Sequence, residues 1–473
     1  MIIGRNREIQ ILQEAYDSEY SEFVAVYGRR RVGKTFLIRE KFNYAFTFQH
    51  AGLANENTRQ QIVAFHEALI KQGLEQCSVP QNWFEAFNLL EKFIEQSADK
   101  RKVIFIDEMP WMDGANSHFV SALEHFWNGF ASARRDVLLI ICGSATSWMV
   151  NNVFRNHGGL HNRVTRRIHL HPFTLHECEL FTESKHLAYS QYEVLLSYMV
   201  LGGVPYYWAA LQKGMSADQN IDRLFFNPDG ELFGEFSELY ASLFNKPESY
   251  IKVIETLATK RIGMTRNEII EAGALESSGR LTTILDDLES CDFIRSYQAF
   301  GTKKKNTIYQ LIDNYTLFYF KYIQENHDAD THFWANSNNT PVRNSWQGLA
   351  FEQVCFAHIQ QIKGKLGIGG VSTKVCSWRA SADDELGAGA QIDMLIDRAD
   401  NVINICEMKF SDSKYIITKD DSDSLKWKRQ RFAATTRTKK SIHLTMVTFD
   451  GIASNKYSGE IQSEVTAADL FME

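Results

Sequence analysis

One short segment constrains the fold of this chain more than any other. Gly28–Thr35 reads Gly-Arg-Arg-Arg-Val-Gly-Lys-Thr, follows the apolar run Phe23–Tyr27 and precedes the helix-like stretch Phe36–Lys41. A strand that enters a helix through a glycine-rich loop presents backbone N–H groups at a helix N-terminus, where the helix dipole favours phosphate. We therefore expect a parallel α/β domain that binds ATP, the alternative being a glycine-rich turn with a chance Lys-Thr pair.

The loop also predicts individual roles. Lys34 is expected to reach the β- and γ-phosphates, and the Thr35 hydroxyl is expected to ligate Mg²⁺. The expected nucleotide-binding residues of the loop are Gly28, Arg31, Val32, Gly33, Lys34 and Thr35.

Two further apolar runs end in polar residues. Val103–Ile106 is followed by Asp107 and Glu108, and a later run, Val137–Cys142, is followed by Gly143 and Ser144. Downstream of a phosphate loop, Asp107 is expected to help hold Mg²⁺, and Glu108 to polarise the attacking water. Ser144 could sense the γ-phosphate. Two acids after an apolar run also occur in ordinary solvated turns.

Three motifs resemble those of AAA+-related archaeal and bacterial ATPases close to the STAND class. Ile3–Ile9 is similar to the entry segment of that family, Gly158–Arg163 to its "GPLYGR" segment, and Leu201–Tyr207 to its "GGIPYYL" lid motif. The resemblance implies that Arg163 is an arginine finger or a γ-phosphate sensor and that Pro205 lies near the adenine. A surface arginine in a basic stretch is the alternative for Arg163.

Five histidines cluster between residues 157 and 176. His169 and His171 alternate with Ile168 and Leu170, as on one face of a strand. Because no carboxylate or thiol recurs at ligand spacing nearby, we expect no metal there.

The middle of the chain reads as helical, first as a lid and then as a winged helix-turn-helix. Three helices, near residues 250–258, 266–271 and 279–288, precede two strand-like pieces around the basic tip Lys303–Lys305. The third helix carries Asp286, Asp287 and Glu289 against one arginine, and carboxylates repel phosphates. A structural or partner-binding role is therefore as compatible as DNA binding, and the lysine tip could touch phosphates or be a solvated loop.

A second constellation of charged residues follows a polar linker at 336–341. An apparent helix over 346–362 carries Glu352, and a predicted hairpin carries Asp393 on one strand and Glu407 and Lys409 on the next. Glu407 and Lys409 face the same side because strand side chains alternate.

This pattern resembles the PD-(D/E)XK nuclease superfamily. The resemblance implies that Glu352, Asp393 and Glu407 hold Mg²⁺ or Mn²⁺, and that Lys409 orients or helps deprotonate water or stabilises the phosphate charge. A Glu407–Lys409 pair that satisfies itself structurally is the alternative.

A basic stretch follows the hairpin and predicts contact with nucleic acid, most simply DNA. A solvated helix face is its alternative. The basic residues are Lys426, Lys428, Arg429, Arg431, Arg437, Lys439 and Lys440, with Trp427 among them.

The 473 residues are too many for one core. We expect an α/β chain with a P-loop, AAA+-like core (1–172), a helical lid (173–240), a winged helix (241–325) and a restriction-endonuclease-like α/β domain (340–473). No apolar run is long enough to span a bilayer, no signal peptide is evident, and the seven scattered cysteines suggest reduced thiols, so a cytoplasmic protein without a membrane partner is expected.

Two functions fit this organisation. The first is an ATP-regulated, metal-dependent DNA nuclease. The second is a STAND-like ATP switch whose nuclease-like domain only binds nucleic acid or a protein partner; a homo-oligomer is compatible with both.

Overall fold

The computed structural model of the chain describes residues 1–144, 146–154, 160, 162–244, 246–276, 279–302, 306–326, 330–382 and 387–473. It divides into two compact units. The first comprises Met1–His171 with the short segments Ser242–Asn245 and Asp286–Asp292, and the second comprises the remainder.

The first unit is built on a parallel five-stranded sheet with the strand order β2-β3-β4-β1-β5. Its strands are β1 (Glu22–Tyr27), β2 (Phe48–Ala51), β3 (Lys102–Asp107), β4 (Val137–Gly143) and β5 (Arg166–His169). Its helices are α1 (Asn6–Asp17), α2 (Lys34–Lys41), α3 (Thr58–Lys71), α4 (Trp83–Gln96), α5 (Phe119–Gly129) and α6 (Thr146–Met149). Short 3₁₀ turns lie at Met109–Met112 and Ala131–Ala133, and a π-turn at Val150–Phe154.

The middle residues of the central strands of this sheet are apolar. β3 and β4 are fully buried, and their alternate side chains enter two separate hydrophobic clusters, one on each face of the sheet. Such strands occur in parallel sheets covered by helices on both faces. The predicted P-loop α/β core is therefore confirmed at the level of the fold.

The second unit begins with helices. They are α7 (Leu175–Ser184), α8 (Gln191–Leu201), α9 (Pro205–Ala209), α10 (Ala217–Phe225), α11 (Glu235–Leu243), α12 (Pro247–Ala258), α13 (Arg266–Ala272) and α14 (Gly279–Ser290). The last residues of α11 and of α14 belong to the first unit. The starts of α7, α8, α10 and α13 carry reciprocal capping boxes, so these helix starts are encoded locally.

A small antiparallel sheet of order β6-β8-β7 accompanies helices α12 to α14. Its strands are β6 (Met264–Thr265), β7 (Ile294–Gln298) and β8 (Thr307–Leu311). The helices and strands predicted for this stretch are present. Their assignment to a winged helix stays a prediction, and the basic tip Lys303–Lys305 lies outside the described residues.

The C-terminal part of the second unit contains a mixed sheet of order β13-β12-β11-β10-β9. Strands β9 (Thr373–Ala380), β10 (Ala390–Arg398) and β11 (Val402–Lys409) are antiparallel neighbours, whereas β12 (Ser441–Thr448) and β13 (Ser463–Thr466) continue in parallel. The helices are α15 (Asn314–Phe318), α16 (Phe333–Asn336), α17 (Pro341–Ala357), α18 (Ile359–Lys365), α19 (Lys419–Thr436) and α20 (Ala467–Leu470), with a π-turn at Tyr319–Ile323 and a 3₁₀ turn at Ser458–Glu460.

The segment predicted as a polar linker at 336–341 is a mostly exposed turn, and buried contacts flank it. Trp334 is buried under the Arg343 guanidinium, 4.0 Å from its ring, and Arg343 pairs with Asp218 of α10 at 2.5 Å. The N–H groups of Trp334 and Ala335 donate to the Asp222 carboxylate. The contacts of Trp334 and Arg343 with Asp218 and Asp222 therefore form a buried joint beside this segment.

The helix predicted over 346–362 begins earlier and is interrupted. α17 starts at Pro341, where the Thr340 side chain caps it, and it ends at Ala357 before α18 continues. At the break, the buried His358 ring accepts the N–H of Leu175 at 2.9 Å and contacts the Val354 carbonyl. No helix of the described residues is both long and apolar enough to cross a membrane.

Candidate functional site

The phosphate-binding loop connects β1 to α2 at the carboxyl edge of the parallel sheet. Gly28 has a φ of 144°, and a Cβ atom there would collide with the carbonyl oxygen of Leu170. Gly33 has a φ of 88° and caps α2 without a side-chain hydrogen bond. The first N–H groups of α2 therefore remain available for an anion, as the sequence predicts.

Lys34 and Thr35 occupy the first turn of α2. The buried Lys34 ammonium donates to the carbonyl oxygens of Gly28 and Arg29, each at 2.9 Å, so it bridges the loop. Arg31 adopts a left-handed φ of 74° at the crest of the loop, and Val32 is buried beneath it. An ammonium held by the loop's own carbonyls is positioned to exchange them for phosphate oxygens.

The structure brings Asp107 next to Thr35. The Thr35 hydroxyl donates to an Asp107 carboxylate oxygen at 2.7 Å, although the residues are 72 positions apart. Two adjacent oxygen donors of this kind fit Mg²⁺, which takes oxygen ligands with few protein contributions. This pair is where Mg²⁺ is expected to be held when nucleotide binds.

Glu108 and Ser144 meet at the ends of β3 and β4. One Glu108 carboxylate oxygen accepts the Ser144 hydroxyl at 2.9 Å and the Ser144 backbone N–H at 3.1 Å. Glu108 also has a left-handed φ of 43°, an unfavourable conformation for a residue with a side chain. The predicted water-polarising acid and the predicted γ-phosphate sensor are thus directly linked.

Arg163 does not lie with these residues. It is exposed in the turn before β5, and the register pairs Val24 with Arg166 and Tyr27 with His169, so Arg163 lies at the amino edge of the sheet. The two edges are separated by the length of β1, roughly 16 Å at about 3.3 Å per residue. A γ-phosphate sensor within the same chain does not fit this position. Residues 158, 159 and 161 of its motif lie outside the described residues, and Pro205 opens α9 in the second unit.

The second predicted constellation lies on α17, β10 and β11. The register pairs Met394 with Cys406, so Asp393 and Glu407 occupy the next position along the two strands. The charges of Asp393, Glu407 and Lys409 all act on Glu352, and burial raises the pKa of that carboxyl to about 7. The four predicted residues are therefore close enough to interact electrostatically.

Each acidic group of this cluster already has a positive or hydrogen-bonding partner. Glu407 contacts the ammonium groups of Lys409 at 3.3 Å and Lys428 at 2.7 Å. Asp393 accepts the Gln391 amide at 2.6 Å. Carboxylates are the oxygen donors that Mg²⁺ or Mn²⁺ prefers, but oxygen atoms of these three do not all lie within 4.8 Å of one another here, so their side chains would have to move to hold one ion.

Arg261 is a residue of this site that the sequence did not indicate. Its guanidinium lies 2.6 Å from the Glu352 carboxylate and donates to the Leu349 carbonyl at 2.9 Å, and its charge is also felt by Asp393. Arg261 lies just before β6, 91 positions from Glu352. An isolated arginine in a turn carries no periodic or motif signal that would place it here.

The basic stretch near α19 is mostly engaged within the chain. Lys426 pairs with Glu460 and Lys440 with Asp397, while Arg431 is buried and donates to the Ser381 carbonyl. Lys428 is paired as well, with Glu407, and contact of this stretch with nucleic acid stays a prediction. Arg437 and Lys439 remain exposed beyond the helix and next to β12, respectively.

Comparisons with known proteins agree with the first site. Residues 2–211 match the family model described as an ATPase domain predominantly from Archaea. The uncharacterized protein MJECL04 of Methanocaldococcus jannaschii is 26% identical over 362 residues, which cover 75% of this chain and 76% of that protein.

Solved structures are similar only at a distance. The Walker-type ATPase paby2304 of Pyrococcus abyssi is 17% identical with a TM-score of 0.45, covering 67% of this chain and 95% of that one. The ORC2 protein of Aeropyrum pernix is 12% identical with a TM-score of 0.40, covering 75% and 95%. Residues 2–211 are thus similar to a family of ATPase domains, and they contain the phosphate loop and the parallel sheet that such a domain requires.

Proposed function

We propose that this protein is an ATP-regulated, metal-dependent DNA nuclease. The observation that carries the proposal is the cluster of Glu352, Asp393, Glu407 and Lys409, in which the charges of the other three act on Glu352. The cluster is built on a helix, three antiparallel strands, a helix and a parallel strand, in the order α17, β9, β10, β11, α19 and β12. This order and these residue types resemble PD-(D/E)XK nucleases.

Lys409 has the properties of a permanent cation in this site. Burial lowers its pKa, but the Glu407 carboxylate and the Tyr415 hydroxyl more than offset that effect, and the pKa lies above its usual range. A protonated amine cannot take a proton from water, so Lys409 is assigned to orienting the water and stabilising the charge on the phosphate. Of the three roles expected from sequence, deprotonation is the least compatible.

The three carboxylates would hold the metal ion. When bound, the ion would polarise the phosphodiester and its attacking water. Arg261 and Lys428 occupy the carboxylates that the ion needs, so the ion has to compete with them. We infer that an arrangement in which Arg261 leaves Glu352 is the active one, and that ATP binding favours it.

Arg163 fits this proposal only through a second copy of the chain. An exposed arginine at the amino edge of the sheet can reach a phosphate bound to a neighbouring subunit, although not the one bound to its own loop. We therefore propose a homo-oligomer in which Arg163 acts as an arginine finger between subunits.

A second candidate function has its own observation. Because Glu352 and Glu407 are already paired with Arg261 and Lys428, the carboxylates could serve a purely structural purpose. The protein would then be an ATP-dependent switch whose C-terminal domain binds nucleic acid or a protein partner without cleaving it.

Cleavage of DNA separates the two candidates. Plasmid and linear DNA are incubated with the full chain and Mg²⁺ or Mn²⁺, with and without ATP. We expect cleavage that depends on ATP and falls on the order of 100-fold in Lys409→Ala, with ATP hydrolysis retained. Lys365→Ala is the matched control, since Lys365 pairs with Asp469 outside the cluster. Absence of cleavage in every nucleotide and metal state, with a folded protein, would support the switch instead.

A further inference from the structure

Two imidazoles and a carboxylate converge at the carboxyl end of β5. His171 Nδ1 lies 3.1 Å from an Asp292 carboxylate oxygen, and His169 Nε2 lies 3.8 Å from the same oxygen. One ligand atom from each of the three residues lies within 4.8 Å of the other two. The sequence pattern indicated no metal because no carboxylate stands at ligand spacing from the histidines along the chain. The carboxylate that lies beside them in the structure is that of Asp292, 121 positions from His171.

Neighbouring groups hold all three residues in place. The His169 ring stacks on Tyr27 with their centroids 4.7 Å apart and their planes 9° from parallel. Arg5 donates to the His171 carbonyl at 2.8 Å. Asp292 has a left-handed φ of 58°, and its N–H donates to the Glu289 carbonyl at the end of α14. The two histidines at the end of β5 and the distant Asp292 after α14 therefore come from two segments of backbone, each with its own contacts.

The ring of His169 has a nitrogen that no group of the described residues satisfies. His169 Nε2 is shielded from solvent and makes no hydrogen bond within the described part of the chain. A buried ring nitrogen without a partner is costly, and a metal ion would satisfy it.

We propose that His169, His171 and Asp292 form a binding site for Zn²⁺ or a similar borderline divalent cation. Ligand atoms at about 2.0–2.1 Å from a tetrahedral Zn²⁺ lie about 3.3 Å from one another, so shifts of roughly 1 Å or less in flexible side chains complete the site. Imidazole nitrogen selects zinc-like ions over Mg²⁺, which keeps this site distinct from the magnesium position at Thr35. The exposed side of His171 leaves the fourth position to water.

Such an ion would lie directly behind the phosphate loop. Tyr27, which stacks on His169, precedes Gly28, and Gly28 packs against the Leu170 carbonyl between the two histidines. Binding of a metal ion would therefore fix Tyr27 and Leu170, against which the phosphate loop packs, and stabilise the first unit. The inference does not depend on the proposed nuclease function.

Zinc binding by the intact chain tests the proposal. Chelator-treated protein is titrated with ZnCl₂ by calorimetry in excess Mg²⁺, and Co²⁺ is added in parallel to record the visible absorption of a four-coordinate site. We expect one equivalent that is lost, or weakened on the order of 100-fold, in His171→Ala and in Asp292→Asn. Zinc should also raise the melting temperature of the wild-type protein and leave that of both variants unchanged.

Two controls separate this site from others. His332→Ala removes a ring that lies 3.4 Å from Asp330 and belongs to no cluster of three possible ligands among the described residues, and it should bind zinc like the wild type. Asp393→Asn should retain the equivalent as well, because it alters only the C-terminal cluster. Unchanged zinc affinity in both His171→Ala and Asp292→Asn, or the absence of tight zinc binding by the wild type, would show that His171 and Asp292 form only an ion pair.

Discussion

The two carboxylate-containing sites of this molecule differ in what occupies them. At the phosphate loop, Asp107 faces the Thr35 hydroxyl, and Lys34 rests on main-chain carbonyls. In the C-terminal cluster, Glu352 and Glu407 each face a cationic side chain from another element, Arg261 and Lys428. For a nucleotide to bind at the loop, the Lys34 ammonium only has to exchange neutral carbonyls for phosphate oxygens. For a metal ion to bind at the C-terminal cluster, ion pairs that are already formed would have to break.

This difference assigns distinct roles to the two sites. Exchanging a carbonyl for a charged phosphate strengthens the hydrogen bonds of Lys34, so the first site is ready to bind. Displacing a partly buried guanidinium from a carboxylate costs free energy, so the second site is closed until something moves Arg261. The comparison predicts that removing Lys34 weakens the function of the phosphate loop. It also predicts that removing Arg261 strengthens metal binding at the C-terminal cluster.

The largest effect is expected at the phosphate loop. Lys34→Ala removes the ammonium that would contact the phosphates, and we expect ATP hydrolysis to fall on the order of 100-fold or more. Phosphate release under saturating ATP and Mg²⁺ measures it. Lys41→Ala, at the far end of the same helix, is the matched control and should hydrolyse ATP normally. Unchanged hydrolysis in Lys34→Ala would contradict the assignment of the loop.

An intermediate effect of opposite sign is expected at the C-terminal cluster. Arg261→Gln removes the cation that competes with a metal ion for Glu352, and we expect Mn²⁺ to bind there on the order of tenfold more tightly at pH 8. Titration calorimetry of the full chain with Mn²⁺, in the absence of nucleotide, measures this affinity. Arg379→Gln is a suitable control, because Arg379 is paired with Glu268 outside the cluster. Equal or weaker Mn²⁺ binding in Arg261→Gln would show that Arg261 supports the site rather than closing it.

The smallest effect concerns the pH dependence of stability. The pKa of Glu352 is raised to about 7, mainly by burial, from an ordinary value near 4.5 in the unfolded chain. Its contribution to stability is therefore fully present below about pH 4.5 and is lost as the pH rises through 7, because the folded state retains a proton that the unfolded state has released. The Glu352→Gln variant has an uncharged amide at this position and no proton to release over this pH range.

We therefore expect the melting temperature of metal-free wild-type protein to fall relative to Glu352→Gln between pH 5 and 8, by an amount on the order of a few degrees. Scanning calorimetry or fluorescence in chelator-containing buffers measures the difference. A difference between the two proteins that stays constant over this range would mean that Glu352 is ionised throughout.

Features that depend on contiguous residues could be predicted from sequence. The phosphate loop, the buried strands β1, β3 and β4 and the hairpin of β10 and β11 are encoded by local apolar runs and turns, and the structure has them where expected. Asp107 could be placed near Thr35 because both follow parallel strands at one edge of the sheet. The roles of the site residues, the winged-helix and nuclease-like assignments and the domain boundaries stay predictions.

Features that depend on distant residues could not be predicted. Arg261 reaches Glu352 and Asp292 reaches His171 across about 90 and 120 positions, and neither residue stands in a motif. Arg163 was assigned by its motif, but only the strand register shows which edge of the sheet it occupies. The polar segment at 336–341 is an exposed turn, but nothing in its composition indicated the buried joint beside it, where Arg343 pairs with Asp218.

That joint has a mechanical consequence. Arg343 is anchored to Asp218 of α10, and nine residues further along the same helix α17 stands Glu352. A continuous helix transmits displacement over this distance, about 14 Å at 1.5 Å per residue, with little bending. A rotation of α10 would thus tilt Glu352 as the far end of a stiff lever, whereas a flexible tether between the same points would absorb the movement.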